Sequence, residues 1–130
     1  MTKQRITRAS AKAKGRSLQQ WTAAEISNVT GHPYGPDEMI ASRESAQSGV
    51  DIRLVGPAAE DFSYAVECKW QESWSVPAFI RQARKGINDK LLNWIVVMKR
   101  SRESTVVVLD AVHFFDLYKE LLERRRGTRT

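Results

Sequence analysis

The stretch YAVECKW, residues 64–70, holds a glutamate and a lysine two positions apart among apolar neighbours. Its tyrosine, valine and tryptophan favour an extended chain, in which successive side chains point to opposite faces. Val66, Cys68 and Trp70 then share one face, and Glu67 and Lys69 share the other. One apolar face is ordinary for a strand. A carboxylate and an ammonium held side by side on the second face ask for a chemical reason.

Working outward, VDIRLV (residues 50–55) alternates in the same way, with Val50, Ile52 and Leu54 on one face and Asp51 on the other. MIAS (39–42) reads as a short strand before it, with RESAQSG (43–49) between the two. GPAAEDF is a turn, with room for one helical turn. If the strands over 50–55 and 64–70 pair, Asp51 and Glu67 converge at a sheet edge with Lys69 beside them. Ser75 is placed to cap a helix that tolerates Pro77 in its first turn, carries Phe79, Ile80, Ala83 and Ile87, and stops near Gly86. NWIVVMK (93–99) is too short and too β-branched for an independent helix and reads as a buried strand. RSRE is a charged turn and STVVVLD (104–110) the returning strand. Asp110 caps a last helix striped by Val112, Phe115, Tyr118 and Leu122. An opening helix over residues 17–29 is spaced by Leu18, Trp21, Ile26 and Val29, and GHPYGPDE breaks it. The order α-β-β-β-α-β-β-α predicts an α/β protein: a mixed sheet with helices packed on it.

At 130 residues the chain is one domain, expected over 15–123, between a flexible basic arm (1–14) and a basic tail (124–130). Lys and Arg outnumber Asp and Glu by 21 to 15, and the net charge of +6 favours a polyanion, nucleic acid before membrane. No amphipathic lipid-binding helix or apolar span stands out. Cys68 is the sole cysteine, which excludes an internal disulfide and a cysteine-based zinc site. The polar N-terminus lacks the apolar core of a secretory signal, so a cytoplasmic location is expected.

Two carboxylates brought together repel unless a cation lies between them. Ligation by oxygen alone suits Mg2+, with Mn2+ able to substitute, better than zinc. A lysine beside such a pair can steer a water and stabilise charge on a phosphate. Each of the three residues alone would read as a surface ion pair. Together, on consecutive strands, they favour catalysis.

Asp51 followed by Glu67-Cys68-Lys69 resembles the D…(D/E)-x-K signature of the PD-(D/E)XK nuclease superfamily, with Val50 where a proline is usual. The element order is similar to that superfamily's restriction-endonuclease-like αβββαβ core, with an extra C-terminal strand and helix. KGRSLQQW and RESAQSGVD resemble the opening helix and the arginine-to-aspartate segment of small archaeal and phage Holliday-junction resolvases. The resemblance implies a Mg2+-dependent endonuclease acting on DNA, branched DNA first, as a homodimer, with a phage or prophage origin by analogy. Asp51, Glu67 and the Cys68 carbonyl would hold metal, and Lys69 would position the attacking water. Gln82 stands where many members place a glutamine facing the site. Those resolvases carry a glutamate on the first helix; here the matching place holds Gln19 or Gln20, and Glu25 is the candidate substitute. Arg43 matches the resolvases' arginine, and Glu44 beside it is a further candidate ligand. Arg16, Arg81, Lys85, Lys99, Arg100 and Arg102 complete the candidate DNA contacts. Trp70 and Trp74 are candidates for stacking on a base. Two alternatives stay open: a nuclease of this fold acting on ends, flaps or duplex sites, and a non-catalytic nucleic-acid-binding module.

Overall fold

The computed structural model describes residues 8–43 and 49–127. Its elements run α1 (Arg8–Thr30), β1 (Ile40–Ser42), β2 (Ile52–Leu54), α2 (Gly56–Asp61), β3 (Tyr64–Trp70), α3 (Val76–Arg84), β4 (Asn93–Lys99), β5 (Val106–Leu109) and α4 (Ala111–Gly127). This is the expected order with the turn at Gly56 wound into a short helix. β1 and β2 form an antiparallel pair, while β3 lies parallel to β4 and β4 antiparallel to β5. The two sheets are joined where the Asp51 N–H donates to the Val66 carbonyl at 3.0 Å. Asp51 itself sits one residue ahead of β2, a shorter strand than its sequence suggests.

β3 and β4 are covered on both faces, as parallel strands normally are. Register pairs Val66 with Ile95 and Cys68 with Val97. These four join α1 residues Leu18, Ala23 and Ile26 in one core. The alternate face places Val96 and Met98 of β4 with Phe79 and Ala83 of α3 in a second core, and Glu67 pairs with Val96 there. The charged face of β3 is therefore a buried face, roofed by α3.

Three helix readings are corrected. α1 begins at Arg8, so residues 8–14 of the expected arm are helical; residues 1–7 lie outside the described ones. Its buried stripe is Leu18, Thr22 and Ile26, whereas Trp21 and Val29 are 48% and 76% exposed. Thr22 can sit inside because its hydroxyl donates to the Leu18 carbonyl at 2.8 Å, a local partner that removes the cost of burying it. Ser75 stands at the N-cap of α3, but its side chain makes no capping bond; its carbonyl accepts from Phe79 instead. Asp110 does cap α4, accepting from the His113 N–H at 3.1 Å. That helix buries none of its residues, so the expected core stripe through Val112 and Phe115 faces outward. Its last turn reaches Gly127, converting the first residues of the expected tail to helix.

Gly86, just past α3, is needed for its lack of a side chain. An added Cβ would overlap the Val50 Cγ1 atom and stand 3.0 Å from the Ala65 Cβ. Both neighbours are core residues, and Val50 adjoins Asp51. Gly86→Ala should destabilise the fold by about 1–3 kcal/mol through overpacking, read by urea denaturation. A change below experimental error would show that α3 does not dock as described.

Candidate active site

Glu67 points from β3 into the space under α3 and is only 3% exposed. Lys69, two residues on along the same face, brings its Nζ to 3.6 Å from Glu67 Oε1, and its ammonium lies 5.6 Å from the centre of the Phe79 ring. Asp51 reaches the same place from the neighbouring sheet, its carbonyl accepting from the Arg43 N–H at 2.8 Å. Its Oδ2 accepts from the Cys68 N–H at 2.7 Å, which fixes the carboxylate against β3. Burial is the first cause that raises the Glu67 carboxyl, pushed up to about 8. The charge of Asp51 and a hydrogen bond to it add to the rise, and Lys69 opposes it. Glu67 and Asp51 are thus close enough to share a proton, and equally close enough to share a cation.

A cavity of about 510 Å3 opens above Glu67, lined also by Gly49, Ala78, Arg81, Gln82 and Lys85. Gln82, Arg81 and Lys85 of α3 thus share a cavity with Glu67. Glu25 does not arrive there: it is exposed on α1 and lines neither this cavity nor the larger cleft. The expected helix stripe near Glu25 included Trp21 and Val29, which face outward. Arg16, Arg43, Gln19 and Gln20 line a separate cleft of about 860 Å3, together with Lys12 and Tyr34. Glu44 lies outside the described residues.

The β4–β5 turn is a different case. Lys99 Nζ donates to the Glu103 carbonyl at 2.7 Å and covers the Trp70 ring at 5.2 Å. Arg100 stacks on Trp74 at 4.3 Å and lies 3.8 Å from Glu103. Lys14 covers Trp70 as well, at 5.7 Å. Lys99 and Arg100 hold the turn, and cations already lie over the tryptophan rings expected to take bases. Arg102 is exposed with φ of 67°, the left-handed backbone of a tight turn. Cys68 is a core residue: its thiol donates to Thr22 Oγ1 at 3.6 Å and burial raises its pKa. It is no nucleophile.

Sequence reasoning missed the Cys68 N–H, because backbone donors carry no residue signature. It also missed Lys12, assigned to the arm, and Tyr34, hidden in a run of breakers.

The residues present suit a divalent metal. Two carboxylates converge beside a backbone segment, and a hard cation such as Mg2+ commonly takes one or two carboxylates and keeps its waters. Among the described residues no group of three or more His, Cys, Asp and Glu side chains gathers, which leaves an oxygen pair.

An αβββαβ core in which an aspartate just ahead of one strand meets a glutamate and a lysine on the next is the build of a PD-(D/E)XK nuclease. The chain belongs to the family described as "Phage putative PDDEXK endonuclease", which it matches over residues 10–130. No curated protein and no solved structure matches it. PD-(D/E)XK nucleases generally use divalent metals. Among the described residues no helix is long and apolar enough to cross a membrane.

The raised Glu67 carboxyl has a stability signature. A group whose folded pKa lies above its ordinary value of 4.5 stabilises fully below pH 4.5, and that stability is lost as pH rises through about 8. In EDTA, wild-type stability should decline over this window relative to Glu67→Gln, read by urea denaturation at several pH values. Parallel pH profiles for the two proteins would contradict the buried acid pair.

Proposed function

We propose that this protein is a divalent-metal-dependent DNA endonuclease that hydrolyses phosphodiester bonds in branched DNA, a four-way junction first, as a two-fold homodimer. The observation that carries the nuclease reading is the burial of Glu67 against Asp51, with Lys69 Nζ at 3.6 Å, beneath a cavity rimmed by Arg81, Gln82 and Lys85. Asp51, Glu67 and the Cys68 carbonyl would hold the metal, which when bound supplies positive charge to the phosphate and acidifies water. Lys69 holds the attacking water and faces the charge that grows on the phosphate oxygens. Gln82 orients that water or the phosphate from α3. Arg81 and Lys85 take the flanking phosphates, and attack in line leaves a 5′-phosphate and a 3′-hydroxyl.

The test is a panel of labelled junction, flap and linear duplex with Mg2+ or Mn2+, resolved on a gel. Junction cleavage should exceed duplex cleavage. Glu67→Ala and Lys69→Ala should each lower the rate at least about 100-fold, in line with loss of a group acting in the transition state, while retaining DNA binding. Full cleavage by both variants would remove the site assignment; equal cutting of all substrates would remove the junction preference.

The dimer draws support from α4 and β5. Val112 and Phe115 are 70% and 68% exposed, and Val106, Val107, Phe114, Leu117, Tyr118 and Leu121 are also exposed. A helix that leaves apolar side chains exposed along its length is a surface for a partner to cover. The helix carries Asp116 in its first half and Arg124, Arg125 and Arg126 at its end, with Glu120 and Glu123 between. A two-fold axis perpendicular to the helix pairs two copies antiparallel and turns Asp116 of one towards the arginines of the other. Light scattering should give a dimer mass for the wild type and a monomer mass for Phe115→Glu. A monomeric wild type at tens of micromolar would end the dimer proposal.

A further inference from the structure

The larger cleft is not the one above the acid pair. It opens between the first half of α1 and the chain on either side of β1, and its chemistry is distinct. Lys12, Arg16 and Arg43 line it, and no carboxylate is among its described lining residues, so it suits a phosphate-bearing ligand. Gln19 also lines it, with an amide oxygen that is screened from solvent and has no hydrogen-bond partner. Buried polar atoms without partners are uncommon and call for a donor. A phosphate diester cannot supply one, because it carries only acceptors. An unpaired base can, through its exocyclic amine or ring N–H, once the Gln19 side chain turns that oxygen into the cleft. Tyr34 presents a half-exposed ring on the same cleft. Its backbone is held to the sheet by a bridge to Ile40, and the next residue, Gly35, donates its N–H to the Ile40 carbonyl at 2.9 Å. An aromatic ring carried on a fixed backbone is a stacking platform.

We propose that this cleft receives an unpaired nucleotide of the DNA strand next to the cut: Lys12, Arg16 and Arg43 on its phosphates, Tyr34 on the face of its base, and Gln19 on the base edge. In continuous duplex the base edges are already paired and the faces stacked, so only the cations find partners. Displacing a base from the stack costs least where it is already unpaired. The cleft therefore selects DNA with an unpaired or unstacked nucleotide at a branch. It is adjacent to the acid pair. The Arg43 guanidinium lies 3.8 Å from the position a side chain on Gly49 would take, and Gly49 lines the cavity over Glu67. The inference deepens the branched-DNA reading above and rests on it for the location of the cut, but the binding itself can be tested apart from cleavage.

The experiment uses the full chain in EDTA, where no cutting occurs, and fluorescence anisotropy with three DNAs. One is a continuous duplex, the second has one unpaired nucleotide, and the third has an abasic site at that unpaired position. Wild type should bind the base-bearing DNA roughly tenfold tighter than either of the others, the scale of one base–aromatic stack. Tyr34→Ala should lose the discrimination between base and abasic site, and Tyr34→Phe should keep it, which separates lost stacking from lost folding. Equal wild-type affinity for the base-bearing and abasic DNAs would overturn the proposal. So would a folded Tyr34→Ala that discriminates as the wild type does. A chain that discriminates in EDTA yet cuts nothing with Mg2+ or Mn2+ would sink the nuclease reading and leave the cleft standing.

Discussion

A carboxylate placed where a core side chain should be governs this molecule. Glu67 occupies a position on β3 that is paired with Val96 and roofed by α3, and an unpaired buried charge there would cost several kcal/mol (an order-of-magnitude figure). The fold answers in two ways. Lys69 offsets the charge from the next position on the same face. Asp51, secured by the Cys68 N–H, raises the Glu67 carboxyl further and favours a shared proton. Such a site is poor as a structural element; in the proposed enzyme a dication would offset the cost of burial and the like-charge repulsion at once.

The surrounding architecture serves that placement. β3 needs α1 on one face to take Val66 and Cys68, and α3 on the other to enclose Glu67 and deliver Gln82, Arg81 and Lys85. Gly86 lets the end of α3 approach Val50 closely enough to close the cavity. The hydrogen bond from Asp51 to Val66 then joins the β1–β2 pair to the three-stranded sheet at the residue that chemistry requires. In the proposed enzyme, the same bond that unites the sheets sets the distance between the two metal-holding acids.

The basic residues divide by what else they do. Lys99 and Arg100 are spent on Trp70, Trp74 and Glu103, so the β4–β5 turn is a structural corner. Arg16 and Arg43 line the larger cleft, while Arg81 and Lys85 rim the cavity over Glu67. In the proposed enzyme, Arg43 and Gly49, which lie side by side, link the two sites. α4 leaves its apolar residues uncovered, and in the proposed dimer a second copy covers them.

The strands were legible because their signal is local: period-two alternation in VDIRLV and YAVECKW and the β-branched run of NWIVVMK specify extended chain and the face of each residue without tertiary help. Those faces place Asp51, Glu67 and Lys69 together only if the two strands are neighbours, and in the structure β2 pairs with β1 while the bond from Asp51 to Val66 supplies that contact. The helices were less legible. Thr22 is buried and Trp21 exposed on α1, and the stripe of α4 covers nothing, since which side of a helix is inside depends on what packs against it. Glu25 was misplaced for that reason, and Tyr34 and Lys12 were overlooked because a cleft is a property of separate segments meeting. Alternation is written in the chain, one residue after another; burial and encounter are decided only when distant segments share space.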